Sequence, residues 1–300
     1  YLLQQGVPES DFLIHLGDTA PQSIPNKNNT KVPDGFNFDY VNTEVLVERI
    51  TVENGYLTLP EGTRYQALEL HRPQYLKMQT LKRVRDLVIA GATIVSAKPE
   101  LPIGYSEWPL QEEFNTITQE IWGDGNQAIR KVGKGQVSTL SLNDTIVQLN
   151  YEPALKINDQ AVKLFAHRRI ANNDLFFFYN DKTETQTLSL DMRGAIGQPE
   201  IWNVDDGSVE KIENFSFDNN RLTMDLLIEP YGARFVLVRR DKQTPKYTTK
   251  QKDLLRAVYQ ATDNSKSLAI SGPWSINFDP RWSGPGDVIF SQLVDWTTRD

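Results

Sequence analysis

At Pro153 the sequence changes rhythm. Up to residue 152, short apolar runs without polar alternation are separated by stretches with helical spacing. Beyond it, strand-like runs follow one another with only turn residues between them. Strands alternating with helices specify a parallel sheet, because parallel neighbours need a crossover; strands joined by tight turns specify antiparallel pairing. The expected fold class is therefore α/β plus all-β. A parallel-sheet α/β domain spans residues 1–152 and an antiparallel β-sandwich spans 153–240.

In the first part, Phe12-Leu13-Ile14-His15-Leu16 reads as a strand buried on both faces, ending at Gly17. A polar stretch from Asp18 to Phe38 follows, with Asp39 as the expected N-cap of a helix over Tyr40–Arg49. Asn54-Gly55 predicts a hairpin within Ile50–Leu59, and Arg64–Leu70 reads as one further strand. Leu81, Val84, Leu87 and Val88 predict a helix over Leu76–Ala90 capped by Gly91, before a strand at Ala92–Val95. A helix over Leu110–Trp122 and a strand at Gln136–Thr139 complete the alternation. After Pro153 the expected strands are Val162–Arg168, Leu175–Asn180, Thr187–Met192, Glu200–Val204, Arg221–Ile228 and Arg234–Arg239. Residues 241–266 are polar and lysine-rich and read as a linker. Residues 267–300 are too few to bury a core alone and read as the start of a truncated third domain. Both ends read as cut: there is no starting Met, and the last residues follow a strand-like run.

The net charge of −7 argues against a nucleic-acid partner, which would call for a basic face. No apolar run reaches the roughly 18 residues of a membrane span. Without cysteine there are no disulfides, thiolate nucleophiles or thiolate metal sites. Six Trp, eleven Tyr and thirteen Phe supply rings suited either to strand packing or to stacking on sugars.

No motif specifies a reaction. Gly123-Asp124-Gly125-Asn126-Gln127-Ala128 matches a dinucleotide-binding pattern but follows a helix instead of a strand. No nucleophile elbow is present. His15, His71 and His167 lack metal-ligand spacing, and no metal site is expected. Asp205-Asp206-Gly207 reads as a turn rather than a calcium loop. Asp18, Asp39 and His167 are the candidate substrate-binding residues. The long 18–38 stretch follows the carboxyl end of the first parallel strand, where open α/β sheets place functional loops. Asp18, Asp34 and Asp39 would supply acceptors there, and Phe36 and Phe38 stacking faces; packing against a neighbouring domain is the competing role.

Tyr1-Leu2-Leu3-Gln4-Gln5-Gly6, with Asp11-Phe12-Leu13-Ile14-His15-Leu16-Gly17-Asp18-Thr19-Ala20-Pro21, resembles the segment after the catalytic barrel in α-L-rhamnosidases of glycoside hydrolase family 106. Gly35–Asn42, Ala90–Val95 with Lys98-Pro99-Glu100, His167-Arg168-Arg169 and Asp174–Phe178 are similar to that family in the same order. Gly272–Pro280 resembles the opening of a galactose-binding-like jelly roll. The resemblance implies a glutamine-amidotransferase-like or β-galactosidase-trimerisation-like first domain, without amidotransferase activity because the nucleophilic cysteine is missing. It implies a parent that removes terminal α-L-rhamnosyl units from a rhamnose-containing glycan by inversion. Catalytic carboxylates and calcium would lie in the parent's upstream barrel, against which this chain packs. No catalytic residue and no cofactor is carried over to this chain. A secreted or periplasmic bacterial parent is expected. The alternatives are a non-catalytic carbohydrate-binding protein and a fragment of another exo-glycosidase, such as a β-galactosidase.

Overall fold

The computed structural model describes residues 1–20, 24, 32–161, 165–240, 271–279, 281 and 284–292. They fall in two compact units, Tyr1–Thr248 and Thr249–Asp300. The fold is mostly β with few helices. The expected linker over 241–266 lies outside the described residues, as do residues 21–23 and 25–31 of the 18–38 stretch and residues 162–164 of an expected strand.

The first half of the larger unit is built on one six-stranded sheet. Its order is Ile129–Val132, Gly135–Ser138, Thr93–Val95, Ala67–Leu70, Phe12–His15 and Phe38–Val41. All pairings are parallel except that of Ile129–Val132 with Gly135–Ser138. Counted along the chain, the parallel strands run 2-1-3-4-5, an order of doubly wound α/β sheets. Successive residues serve opposite faces, as strand geometry requires. Leu13, Leu68 and Ile94 join a core with the helices α1 (Thr43–Glu48), α2 (Met78–Ala90) and α3 (Gln111–Trp122). Phe12, Ala67 and Val95 face the other way, against Phe36 and the Leu142 and Ile146 side chains of α4 (Leu142–Gln148).

Some boundaries differ from the expectation. Residues 38–41 form a strand, not the start of a helix. Val41 is buried and pairs with His15, so Asp39 sits within the sheet. The cap of α1 is instead Asn42, whose side chain accepts from Val45 N at 2.9 Å. The single strand expected over 64–70 breaks at Gln66. Arg64–Tyr65 joins a small antiparallel sheet with the Asn54-Gly55 hairpin, and Ala67–Leu70 joins the large one. Ile129–Val132 and α4 were not expected. The first is a polar edge strand; the second has a local signal, because Ser141 Oγ accepts from Asp144 N and donates to the Asp144 carboxylate.

The second half stacks two antiparallel sheets over one core. One runs Val7–Pro8, Ala166–Ile170, Asn173–Tyr179, Ala233–Arg239, Gln198–Asn203 and Val209–Lys211. The other runs Gln160–Ala161, Leu155–Ile157, Gln186–Arg193, Arg221–Ile228 and Phe215–Asp218. Phe176, Phe178, Val236 and Val238 from the first sheet meet Leu190, Met192, Leu222, Met224 and Leu226 from the second. Val7–Pro8 pairs with Arg168–Arg169, so the chain starts in the sandwich before entering the parallel sheet. Among the described residues of the smaller unit, Trp274–Asn277 pairs with Asp287–Phe290 in an antiparallel hairpin.

Two glycines do specific work at α2. Gly91 takes a φ of 130° and donates to the Leu87 and Val88 carbonyls, closing the helix. Gly135 brings its strand hard against that turn: a Cβ there would lie 2.4 Å from Val88 O and 2.2 Å from Ala92 O. Gly135→Ala should therefore destabilise the protein by about 1–3 kcal/mol through overpacking. Urea unfolding measures it, and an unchanged midpoint would contradict the packing described.

Candidate functional site

Doubly wound sheets usually take ligands at the carboxyl ends of their strands, where the strand order reverses. Here the described polar side chains at that edge bond to one another and to the backbone. Asp18, just past the first strand, accepts from Thr43 Oγ1 at 2.5 Å and from Lys77 N at 2.9 Å, tying the starts of α1 and α2 together. Thr43 has one hydroxyl proton and gives it to Asp18, so it must accept from His15 Nε2, 3.1 Å away. That fixes the His15 tautomer. Its Nδ1 is buried with no hydrogen-bond partner among the described residues. Burial pushes the His15 pKa down, against the opposing pull of Asp18. Asp39 accepts from the buried Tyr65 hydroxyl at 3.1 Å, and burial followed by the Asp39 charge pushes the Tyr65 pKa up.

The amino-terminal edge of the same sheet is open. There the α/β half meets the sandwich around a cleft of about 480 Å³. Asp11 and Gln66, each preceding a strand, line one wall with Tyr56, Arg64 and Tyr151. His167, Arg169 and Arg193 of the sandwich line another. Its carboxylates are internally matched. Asp11 is buried and accepts from Gln66 Nε2 and Asn37 N, both at 2.9 Å, and from the Arg193 guanidinium. Asp174 is also buried, bonded to His167 Nε2 at 3.0 Å and Arg240 Nη2 at 2.8 Å. Burial works against the Asp174 charge, but His167 and Arg240 outweigh it and hold the carboxyl below its ordinary pKa. Burial lifts the Glu9 pKa despite an ion pair with Arg169 at 3.1 Å.

A separate groove of about 260 Å³ is lined by Tyr75, Tyr105, Trp108 and Gln111. Tyr105 is 89% and Trp108 64% exposed, with ring centroids 5.6 Å apart.

Of the residues singled out in sequence, His167 lines the cleft, where it also stacks on Phe176 at 4.0 Å. Asp18 and Asp39 are not among its lining residues. Phe36 is no stacking face: it is 4% exposed and packs on Phe12 at 5.3 Å, because it fills the face of the sheet beside α4. Asp206 accepts from Ser208 N at 2.8 Å within its turn. Gly123 is the C-cap of α3, so the glycine pattern follows a helix and does not open a strand-to-helix loop. Sequence reasoning missed Asp11, Arg169 and Arg193, whose separation along the chain conceals their meeting. Among the described residues no group of three or more His, Asp or Glu is arranged to hold a metal ion, and no helix is long and apolar enough to cross a membrane.

The neutral, buried His15 has a pH signature. Its folded pKa lies below the unfolded value of about 6.5, so between the two the unfolded chain binds more protons. Unfolding free energy should fall as the pH drops through that window and be fully present above it. His15→Gln should remove that component from a stability–pH profile, and an unaltered profile would contradict the neutral tautomer.

Comparison with known proteins places these features. A family model described as α-L-rhamnosidase, glycoside hydrolase family 106, matches residues 1–217. A solved rhamnosidase from Novosphingobium sp. PP1Y shares the fold with a TM-score of 0.71 at 20% identity, over 97% of this chain and 27% of that one. A Formosa agariphila protein, provisionally named a β-glucuronidase, is 26% identical over all of this chain and 24% of its own length. A β-galactosidase from Bacillus circulans sp. alkalophilus reaches a TM-score of 0.44 at 11% identity over 79% of this chain and 42% of its own, too low to carry an argument. The chain thus spans about a quarter of the rhamnosidase and of the Formosa protein. On the match over its first 217 residues, it belongs to the α-L-rhamnosidases of glycoside hydrolase family 106.

Proposed function

We propose that this chain is the accessory part of a glycoside hydrolase that removes terminal α-L-rhamnosyl residues from glycans, and that it does not itself carry the catalytic pair. The observation that carries this reading is the family match, joined to coverage of only about a quarter of the solved rhamnosidase. The chemistry of the cleft supports it. Glycosidic cleavage needs two carboxyl groups free to act as acid and as base or nucleophile. Here Glu9, Asp11 and Asp174 are each held by arginine or histidine.

In this reading residues 1–152 form an amidotransferase-like module, 153–240 a sandwich, 241–266 a linker and 267–300 the start of a galactose-binding-like jelly roll. The doubly wound strand order supports the first of these. The module packs against the parent's catalytic barrel, where calcium would act. The exposed Tyr105 and Trp108 fit such a contact, since large exposed rings mark interaction surfaces. The engagement of both Asp18 oxygens favours a structural role for that residue. Asp39 and His167 remain candidates for contact with the glycan. A secreted or periplasmic parent follows from the substrate class.

The test is an assay on aryl α-L-rhamnoside and aryl β-D-glucuronide with calcium present. The intact parent should turn over the rhamnoside, and the 300-residue chain should turn over neither. Turnover by the chain, or by the parent on the glucuronide alone, would contradict the proposal.

A further inference from the structure

The cleft at the amino-terminal edge of the parallel sheet holds a cation that its own carboxylates do not use. Its volume of about 480 Å³ falls within the range of small-molecule sites. Four carboxylates line it, and each has a cationic partner. Glu9 pairs with Arg169 at 3.1 Å, Asp11 with Arg193, Glu152 with Arg221 at 3.2 Å, and Asp174 with Arg240 at 2.8 Å and His167 at 3.0 Å. Arg64 lines the same cleft and is exposed, with no hydrogen bond or ion pair among the described residues. Local geometry places it there. Leu57 and Tyr65 pair across the small antiparallel sheet and are both buried, so strand alternation sends Tyr56 and Arg64 to the opposite face. On that face the Arg64 guanidinium lies 4.5 Å from the centroid of the Tyr56 ring. The ring restrains the side chain without occupying its N–H donors as a carboxylate would. Arg169 adds to the surplus: its Nη2 is paired, but its buried Nε has no partner among the described residues. The cations of the cleft are thus short of acceptors, while every carboxylate has a donor.

An unpaired guanidinium presents a planar fork of donors that matches a carboxylate. Two amides stand in the same cleft. Asn150 follows the end of α4 and Asn220 sits in the turn before Arg221, with φ of 52° and 61°, and both are exposed. Their side chains have no hydrogen-bond partner among the described residues, and each can both donate to and accept from a hydroxyl. A carboxylate and several hydroxyls on one small ring describe a uronic acid. We propose that this cleft binds a carboxylate-bearing sugar, with Arg64 as the partner of the carboxylate and Asn150 and Asn220 meeting ring hydroxyls. It thereby ties an acidic unit of the glycan to the accessory part. That the ligand belongs to a glycan rests on the family reading; its negative charge rests on the cleft alone.

Amide resonances of the ¹⁵N-labelled 300-residue chain should be followed at constant ionic strength during titration with methyl β-D-glucuronide, methyl β-D-glucoside and acetate. The two glycosides differ only in carboxylate against hydroxymethyl, and acetate carries the charge without the ring. The glucuronide should shift Arg64, Asn150 and Asn220 with a Kd in the millimolar range or tighter, about tenfold or more below that of either other ligand. Arg64→Gln should weaken glucuronide binding about tenfold with an unchanged Tm, and Arg64→Lys should recover part of the loss, because it restores the charge without the fork. Asn220→Gly should weaken the glucuronide and leave acetate as it was; glycine is chosen because it adopts the positive φ of that turn. Absence of shifts with the glucuronide, equal binding of the glucoside or undiminished binding by Arg64→Gln would overturn the proposal. Binding of acetate as tight as that of the glucuronide would overturn the assignment of a sugar. Turnover of aryl α-L-rhamnoside by the intact parent tests the enzymatic reading separately, so either can fail without the other.

Discussion

The larger unit turns on one buried carboxylate. Asp11 sits where the chain leaves its first pairing, in the sandwich, and enters the first strand of the parallel sheet. Burying a charge costs several kcal/mol unless partners replace the lost water. Asp11 meets that condition with three of them. Asn37 N comes from the segment entering the second strand, Gln66 Nε2 from the segment entering the third, and the Arg193 guanidinium from the sandwich. One side chain thus gathers three strand entries and the neighbouring core. Arg168 strengthens the junction by donating to the Gln5 carbonyl at 2.5 Å and the Gly6 carbonyl at 2.9 Å.

The two edges of the parallel sheet follow from this arrangement and differ in kind. At the carboxyl edge, Asp18, Thr43 and His15 form a short chain of hydrogen bonds that ends on the buried His15 Nδ1, which has no partner among the described residues. At the amino edge, the sandwich is held beside the sheet by paired charges, and polar groups nearer the opening stay free around a cleft.

Much of the architecture was legible from periodicity. Phe12–His15 is buried on every residue, as its unbroken apolar run implied, and Arg221–Ile228 alternates as an antiparallel strand should. Asn54-Gly55 and Gly91 were readable because each stands for a specific backbone conformation. Residues 38–41 were not, since Asp39 looks like a cap when the partner strand is unknown. The cleft was hidden for a related reason. His167 was singled out, but Asp11 and Arg193 are 182 residues apart, and no local pattern marks an arginine that will meet a particular aspartate. Asp18 was singled out in the sequence, but its hydrogen bonds to Thr43 Oγ1 and Lys77 N were not legible, because those partners are fixed by helix placement.

The central claim is that the Asp11–Arg193 pair couples the two cores and shapes the cleft between them. A double-mutant cycle on Asp11→Ala and Arg193→Ala, read by urea unfolding, tests it directly. Strong coupling is expected, about 1–3 kcal/mol, with the double variant no less stable than the sum of the single losses allows. Losses that add to within about 0.5 kcal/mol would mean that the two residues act independently, and would contradict the account.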